Sequence, residues 1–173
     1  MGRDAIIVAV ALGGGLGRIP KAPGTFGSLM GMLWFGLLIS LPDRLLSLAL
    51  LVGSFPVGVW ICTEAERVLK QHDPACIVID EILAVPVAGL GWVLWCEIDG
   101  VDPGSLMSSF SSSSLLWIAG IFGLFRFFDI AKPWPVGISQ GLPRGWGVMA
   151  DDLLAALYVA GLTFVIQGAV RAF

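Results

Sequence analysis

Five charge-free apolar stretches, separated by short polar clusters, constrain what this chain can fold into more than any other feature. Their side chains lack the period of two that marks a half-buried strand, and Leu, Ala, Met, Gly and Trp predominate over runs of Val, Ile and Thr. The pattern therefore predicts helices and an all-α bundle. The stretches are about Gly27–Leu41, Leu45–Ile61, Ile82–Cys96, Leu115–Phe125 and Leu153–Val170.

The scarcity of charge predicts that this bundle is partly or wholly embedded in a membrane. Charged residues make up 13% of the chain and apolar residues 57%, whereas a soluble domain has roughly a quarter of its residues charged. The same composition excludes a disordered chain, which is poor in bulky apolar groups. A net charge of −3 without a run of Lys or Arg argues against nucleic-acid binding. The three cysteines show no metal-ligand spacing and are predicted to be buried free thiols.

The length of the stretches leaves their number of membrane crossings open. Only those at Leu45 and Leu153 approach the roughly 20 residues that cross a bilayer, and the shorter ones could instead be buried core helices. The run Ala5–Leu16, which no cleavage site follows, fits a position along the membrane interface. The serine run Ser108–Ser114 predicts a polar loop before a helix.

The basic residues favour a threading in which all five stretches cross and the Arg18–Lys21 loop is cytoplasmic. Seven of the ten basic residues then lie on the inner side, as the positive-inside rule expects. The same threading gathers every segment with candidate chemistry on the inner face. These seven residues are Arg18, Lys21, Arg67, Lys70, Arg126, Lys132 and Arg144.

A Gly/Pro-rich loop, Arg18–Ser28, opens directly onto an apolar helix. Backbone N–H groups at a helix start, together with the hydroxyls of Thr25 and Ser28, form a cradle suited to phosphate. The alternative is purely structural: Thr25 or Ser28 caps the helix, and Gly27 lets two helices pack closely.

Pairs of acids at predicted helix starts form the second group of candidates. Asp80 and Glu81 stand at the head of one apolar helix, and Asp151 and Asp152 precede the longest one. Adjacent helical residues diverge by about 100°, so such a pair serves one metal only over the helix end. These acids could simply complement helix dipoles, but converging carboxylates are also how Mg²⁺ sites are built. The single histidine excludes a multi-histidine zinc centre.

The segment Arg126–Lys132 adds positive charge beside a further acid. Its spacing of three places Arg126, Asp129 and Lys132 near one helix face, an arrangement suited to holding a phosphate and a metal together. The alternative is an ordinary ion pair between neighbours on a helix. Lys132 precedes a proline and is therefore predicted to mark the end of the helix.

These segments resemble the four signature blocks of the phosphatidylglycerophosphatase A family, in order and at family-like spacing. The resemblance covers the chain as one domain, residues 1–173, and implies a compact helical bundle. It further implies a Mg²⁺-dependent enzyme of the bacterial inner membrane, active on its cytoplasmic side, that removes the terminal phosphate of phosphatidylglycerophosphate. The blocks are Ala22–Leu29, His72–Asp73 with Ile77–Glu81, Phe125–Pro135 and Gly145–Asp152.

One departure from the family pattern lies between the last two blocks. Family members commonly carry an Asp-Arg pair there, and the interval Val136–Arg144 lacks it. Either the pair is dispensable or Arg144 supplies the positive charge from a shifted position.

The leading hypothesis is hydrolysis of a lipid phosphomonoester by a Mg²⁺-activated water, with one uncoordinated carboxylate as general base. The candidate ligands and catalytic groups are Asp80, Glu81, Asp129, Asp151 and Asp152. The candidate phosphate-binding residues are Thr25, Gly27, Ser28, Arg126 and Lys132.

Two alternatives remain open at this stage. One is a small membrane transporter or scaffold subunit without turnover, in which the acids form an ion path or a contact. The other is a soluble Mg²⁺ phosphohydrolase built on the same bundle. A phospholipid and the membrane are the expected partners, and the sequence indicates no particular protein partner.

Overall fold

The computed structural model describes residues 2–108 and 112–172, and within these ranges the chain forms helices and no strand. A tight turn, Gly13–Arg18, connects the first helix to the second. The predicted all-α fold is therefore confirmed. The helices in the described ranges are α1 Arg3–Ala11, α2 Pro23–Ser40, α3 Arg44–Leu69, α4 Ile79–Ala88, α5 Leu90–Ile98, α6 Pro103–Ser108, α7 Ser112–Ala131, α8 Val136–Ser139 and α9 Gly145–Ala172.

Five helical segments are long and apolar enough to cross a membrane. Besides α2, α3 and α9, they are Ile79–Ile98, which joins α4 to α5, and Ser113–Ala131 of α7. Large apolar side chains such as Leu45, Leu116 and Val170 are exposed along them, as expected for helices that face lipid.

Several helices extend beyond the apolar stretches that predicted them. α3 continues to Leu69, and α9 begins at Gly145, well before the apolar stretch at Leu153. α7 begins at Ser112, so the end of the predicted serine loop is helical, whereas positions 109–111 lie outside the described residues. Polar residues near the ends of long helices therefore belong to the helices, which apolar content alone does not reveal.

The helix α1 packs against α3 and does not lie apart from the bundle. Ile7 and Ala11 are buried, and the carbonyl of Ala11 accepts a hydrogen bond from the Val78 N–H at 3.0 Å. Cys62 and Cys96 are buried free thiols as predicted, whereas Cys76 is only half-buried.

The helix α2 packs closely on α4 and on Val78, the residue that precedes α4. A Cβ atom on Gly27 would lie 2.9 Å from Val78 Cβ, and one on Gly31 would lie 2.8 Å from Val85 Cβ. Glycine at these positions lets the backbone of α2 lie directly on α4, as small residues do between membrane helices. The contact places the N-terminal ends of α2 and α4 side by side.

The loops gather at the two ends of the bundle. At one end, α2, α4 and α9 begin, and α3 and α7 finish. At the other end, Arg44 at the start of α3 forms ion pairs with Glu97 and Asp102, and Arg171 near the end of α9 pairs with Asp99. The candidate chemistry lies at the first of these ends.

Candidate active site

A pocket of about 290 Å³ lies at the end of the bundle where α2, α4 and α9 begin. The five acids predicted from the sequence all line it, together with Arg126 and Lys132. Uncharged residues of the α2 start and the α3–α4 loop complete the wall. The charged lining residues are Asp73, Asp80, Glu81, Asp129, Asp151, Asp152, Arg126 and Lys132.

Three of these acids form a cluster that could hold a metal ion. Asp80, Glu81 and Asp152 each offer a carboxylate oxygen, and the three oxygens lie within 4.8 Å of one another. The residues are only 8%, 9% and 3% exposed. Because α4 begins at Ile79, the first two sit in its first turn, where adjacent side chains can converge over the helix end. We call this group the acid trio.

The acid trio contains buried oxygens that no protein group satisfies. Glu81 Oε2 and Asp152 Oδ2 are shielded from solvent and have no hydrogen-bond partner among the described residues. Buried polar atoms are almost always paired, and carboxylate oxygens are the ligands that hard divalent cations prefer. The trio therefore fits a hard divalent cation such as Mg²⁺.

Arg126 reaches from α7 toward the acid trio. Its Nη1 atom lies 2.6 Å from Asp129 Oδ2 and 3.7 Å from Glu81 Oε1, and it donates a hydrogen bond to Ser28 Oγ at 3.3 Å. The predicted ion pair at helical spacing is therefore present and lies in the wall of the pocket. Its guanidinium is held between α2, α4 and its own helix.

The Lys132 side chain does not lie on the helix face that its spacing predicted. α7 ends at Ala131, and Lys132 has a φ of 43°, so it marks the helix end as predicted but leaves the helical face of Asp129. Its Nζ atom instead lies 2.5 Å from Asp151 Oδ2 on α9. Burial lowers the pKa of Lys132, but the hydrogen bond and charge of Asp151 outweigh it, and the pKa lies above its ordinary value.

The interpretation of Asp151 and Asp152 as helix-start residues is wrong, and Asp129 does not lie at a helix start either. α9 begins at Gly145, so Asp151 and Asp152 lie in its second turn and no acid lies in its first. Asp129 lies in the last turn of α7, where the helix dipole disfavours a negative charge. Dipole complementation therefore does not account for these three acids, of which Asp129 and Asp151 are held by cations.

The structure places the predicted phosphate cradle on α2 beside the pocket and not in its lining. Thr25, Gly27 and Ser28 are not among the residues that line the pocket, and no side chain caps α2. Gly27 packs on Val78, and the buried Ser28 hydroxyl donates to the Gly24 carbonyl at 2.9 Å. Ser28 thereby contacts Arg126, and the positions of Gly24 and Gly27 both face the Glu81 carboxylate.

Asp73 is the pocket acid that was not among the predicted site residues. It lies in the loop between α3 and α4, is exposed, and has a φ of 46°. Its place in a resembling block was the available signal. Arg144, by contrast, lines a neighbouring depression with Arg67, Lys70 and His72, so it does not supply the absent Asp-Arg charge in this pocket.

The fold is a helical bundle with five membrane-length segments and an acidic pocket that also holds Arg126 and Lys132, and the family match makes the protein a phosphatase. The chain belongs to the phosphatidylglycerophosphatase A family, whose model matches residues 9–167.

Three relatives illustrate this membership. Phosphatidylglycerophosphatase A of Haemophilus influenzae is 35% identical over 91% of this chain and 86% of its own length. Phosphatidylglycerophosphatase A of Escherichia coli is 30% identical over 91% of this chain and 81% of its own. A protein of Bacteroides thetaiotaomicron, provisionally named a phosphatidylinositol-3-phosphatase, is 32% identical over 87% of each chain. No solved structure matches the chain at a significant level.

Proposed function

We propose that this protein hydrolyses the terminal phosphomonoester of phosphatidylglycerophosphate to phosphatidylglycerol, with Mg²⁺ held by Asp80, Glu81 and Asp152. The observation that carries the proposal is the buried acid trio with two unpaired oxygens in a pocket that also holds Arg126 and Lys132. Two relatives named for this activity cover most of the chain.

Charge balance in the pocket supports a bound divalent cation. Six carboxyl groups line it against two cationic side chains, and most of these acids are buried. Buried charges without partners are costly, and a cation that bridges the trio would remove that cost. A purely oxygen-donor set suits Mg²⁺ better than zinc or copper, which favour nitrogen and sulfur ligands.

The two cations of the pocket have a separate role in this proposal. Arg126 and Lys132 would bind the equatorial phosphoryl oxygens and stabilise the charge that develops on them. Asp129 and Asp151 hold both side chains in place before substrate arrives, so little reorganisation is needed. Bound Mg²⁺ would polarise the phosphate and lower the pKa of a coordinated water.

We place the pocket at the cytoplasmic side of a bacterial inner membrane. Seven basic residues belong to the loops and helix ends on the pocket side, whereas Arg44 and Arg171 lie at the opposite end. Cytoplasmic loops carry such an excess of Lys and Arg. A pocket there would meet a lipid headgroup at the membrane surface.

The test is phosphate release from phosphatidylglycerophosphate by the protein purified in detergent. We expect release with Mg²⁺, none with EDTA, and a loss of at least about 10²-fold in Asp80→Asn and Asp152→Asn. Glu97→Gln, at the opposite end of the bundle, is the matched control and should keep wild-type activity. Release that is absent in the wild type, or indifferent to EDTA, contradicts the proposal.

The headgroup is tested in the same assay with competing lipids. Phosphatidylinositol 3-phosphate, suggested by the name of the Bacteroides relative, and phosphatidic acid should be hydrolysed more slowly than phosphatidylglycerophosphate. Faster hydrolysis of either competing lipid would support phosphatase activity but contradict phosphatidylglycerophosphate as the preferred substrate. No turnover of any of the three would instead favour the transporter or scaffold alternative.

A further inference from the structure

We propose that Asp73 is the general base of this reaction and that Glu66 is the residue that positions it, an inference that rests on the function proposed above. Asp73 lies in the loop between α3 and α4, at the wall of the pocket. Glu66 lies one turn before the end of α3 and is 9% exposed.

The other pocket acids are already engaged. Asp80, Glu81 and Asp152 form the acid trio, whereas Asp129 and Asp151 lie 2.6 and 2.5 Å from Arg126 and Lys132. Asp73 belongs to neither group, and within the described residues it forms no ion pair. A carboxylate that neither binds metal nor neutralises a cation is free to take up a proton.

Its surroundings suit a base that acts on water. Asp73 is exposed and is the one pocket acid that lies outside the five membrane-length segments. Its Oδ2 atom accepts a hydrogen bond from Gln140 Nε2 at 3.2 Å, which orients the carboxylate and leaves Oδ1 available. General bases need such reach to the proton they abstract.

Glu66 holds the loop in the conformation that brings Asp73 to the pocket. Its Oε1 atom accepts a hydrogen bond from the Asp73 N–H at 2.8 Å and lies 2.8 Å from His72 Nδ1. Asp73 has a φ of 46°, in the left-handed region that residues with a side chain disfavour. The buried carboxylate compensates for that strain through the loop backbone and does not touch the substrate itself.

The proposed step balances as an ordinary hydrolysis. The water oxygen bonds to phosphorus while the bond between phosphorus and the glycerol oxygen breaks. The water proton passes to Asp73, and the departing alkoxide takes up a proton from bulk water. Asp73 then returns its proton to solvent, so that a phosphomonoester and one water give an alcohol and inorganic phosphate.

The experiment compares variants of the purified protein at three positions, beginning with the single substitutions Asp73→Asn, Glu66→Gln and Glu64→Gln. We expect Asp73→Asn to lower kcat by about 10²- to 10⁴-fold while KM and calorimetric Mg²⁺ affinity stay within about twofold of wild type. Asp73→Glu should recover part of kcat. Glu64, two residues before Glu66, pairs with Arg67 outside the pocket, so Glu64→Gln should behave as wild type.

The positioning role is read from the combination of variants. Glu66→Gln should lower kcat by about tenfold with unchanged Mg²⁺ affinity, and Asp73→Asn with Glu66→Gln should be no slower than Asp73→Asn alone, because the two residues act through one carboxylate. If the loss of kcat in the double variant equals the product of the losses in the two single variants, Glu66 does not act through Asp73.

Two further results would overturn the role of Asp73. One is a kcat within about threefold of wild type in Asp73→Asn, and the other is a loss of Mg²⁺ affinity equal to that of Asp80→Asn, which would make Asp73 a ligand. Either result leaves the proposed function intact, whereas a wild-type protein without phosphatidylglycerophosphate hydrolysis contradicts that function itself.

Discussion

A Cβ atom on Gly24 would overlap Glu81 Oε1, so the Glu81 carboxylate keeps its place in the acid trio only because position 24 has no side chain. The same Cβ would lie 3.1 Å from Arg126 Nη1. Gly24 thus belongs to α2 and also contacts two residues of the candidate active site. Its substitution should affect the site more than the fold.

We expect Gly24→Ala to displace the Glu81 carboxylate and to lower Mg²⁺ affinity by about 10- to 100-fold, as disturbed ligand positioning does. The melting temperature should change little, because the displaced atom is the end of a side chain. Gly53→Ala on α3 is the matched control, since nothing lies within 4 Å of its Cβ position. Equal Mg²⁺ affinity in the two variants would contradict the role given to Gly24.

The opposite result, a larger effect on stability than on the site, is expected about two turns further along the same face of α2. In Gly31→Ala the new Cβ would lie 2.9 Å from the Glu81 carbonyl oxygen and 2.8 Å from Val85 Cβ, and neither atom can move without shifting α4. We expect a loss of about 1–3 kcal/mol in the free energy of unfolding. Thermal unfolding in detergent checks this against Gly161→Ala on α9, whose Cβ position is open and which should match the wild type.

The Lys132–Asp151 ion pair predicts an alkaline limit to stability. The pKa of Lys132 is higher in the folded protein than its ordinary value of 10.5. Its contribution is therefore fully present below that ordinary pKa and is lost as the pH rises through the folded pKa. The difference in melting temperature between wild type and Lys132→Met should narrow above about pH 10.5. A difference that stays constant from pH 8 upward would contradict this.

The five acids could be predicted from the sequence because charge is rare in this chain and each acid borders an apolar helix. Their partners could not. That Lys132 pairs with Asp151 depends on where α7 ends and on how α9 lies beside it. Both depend on tertiary packing, which the spacing of residues along one helix does not predict.

Asp73 and Ser28 also show that local sequence patterns do not reveal tertiary contacts. The first is a pocket residue that was not predicted, and the second is a predicted residue that does not line the pocket. Asp73 reaches the pocket because a buried Glu66 fixes its left-handed backbone, and no local pattern indicates that contact. Ser28 was predicted to bind phosphate, but its hydroxyl is buried and donates to the Gly24 carbonyl of its own helix. Charge scarcity identifies the residues of such a site, whereas helix phase and loop conformation decide their roles.

The threading of the five long segments gives the last prediction, the side of the membrane that the pocket faces. The test introduces one cysteine at a time in place of Asp43, Asp102 or Arg144, in a protein whose Cys76 is replaced by Ala. A reagent that does not cross the membrane then labels only the cysteines on its own side. We expect labelling of Asp43→Cys and Asp102→Cys in intact spheroplasts, and of Arg144→Cys only after lysis, because Arg144 lies at the pocket end and Asp43 and Asp102 at the other. Labelling of Arg144→Cys from the same side as Asp43→Cys would contradict the threading, and labelling of all three only after lysis would contradict the crossings.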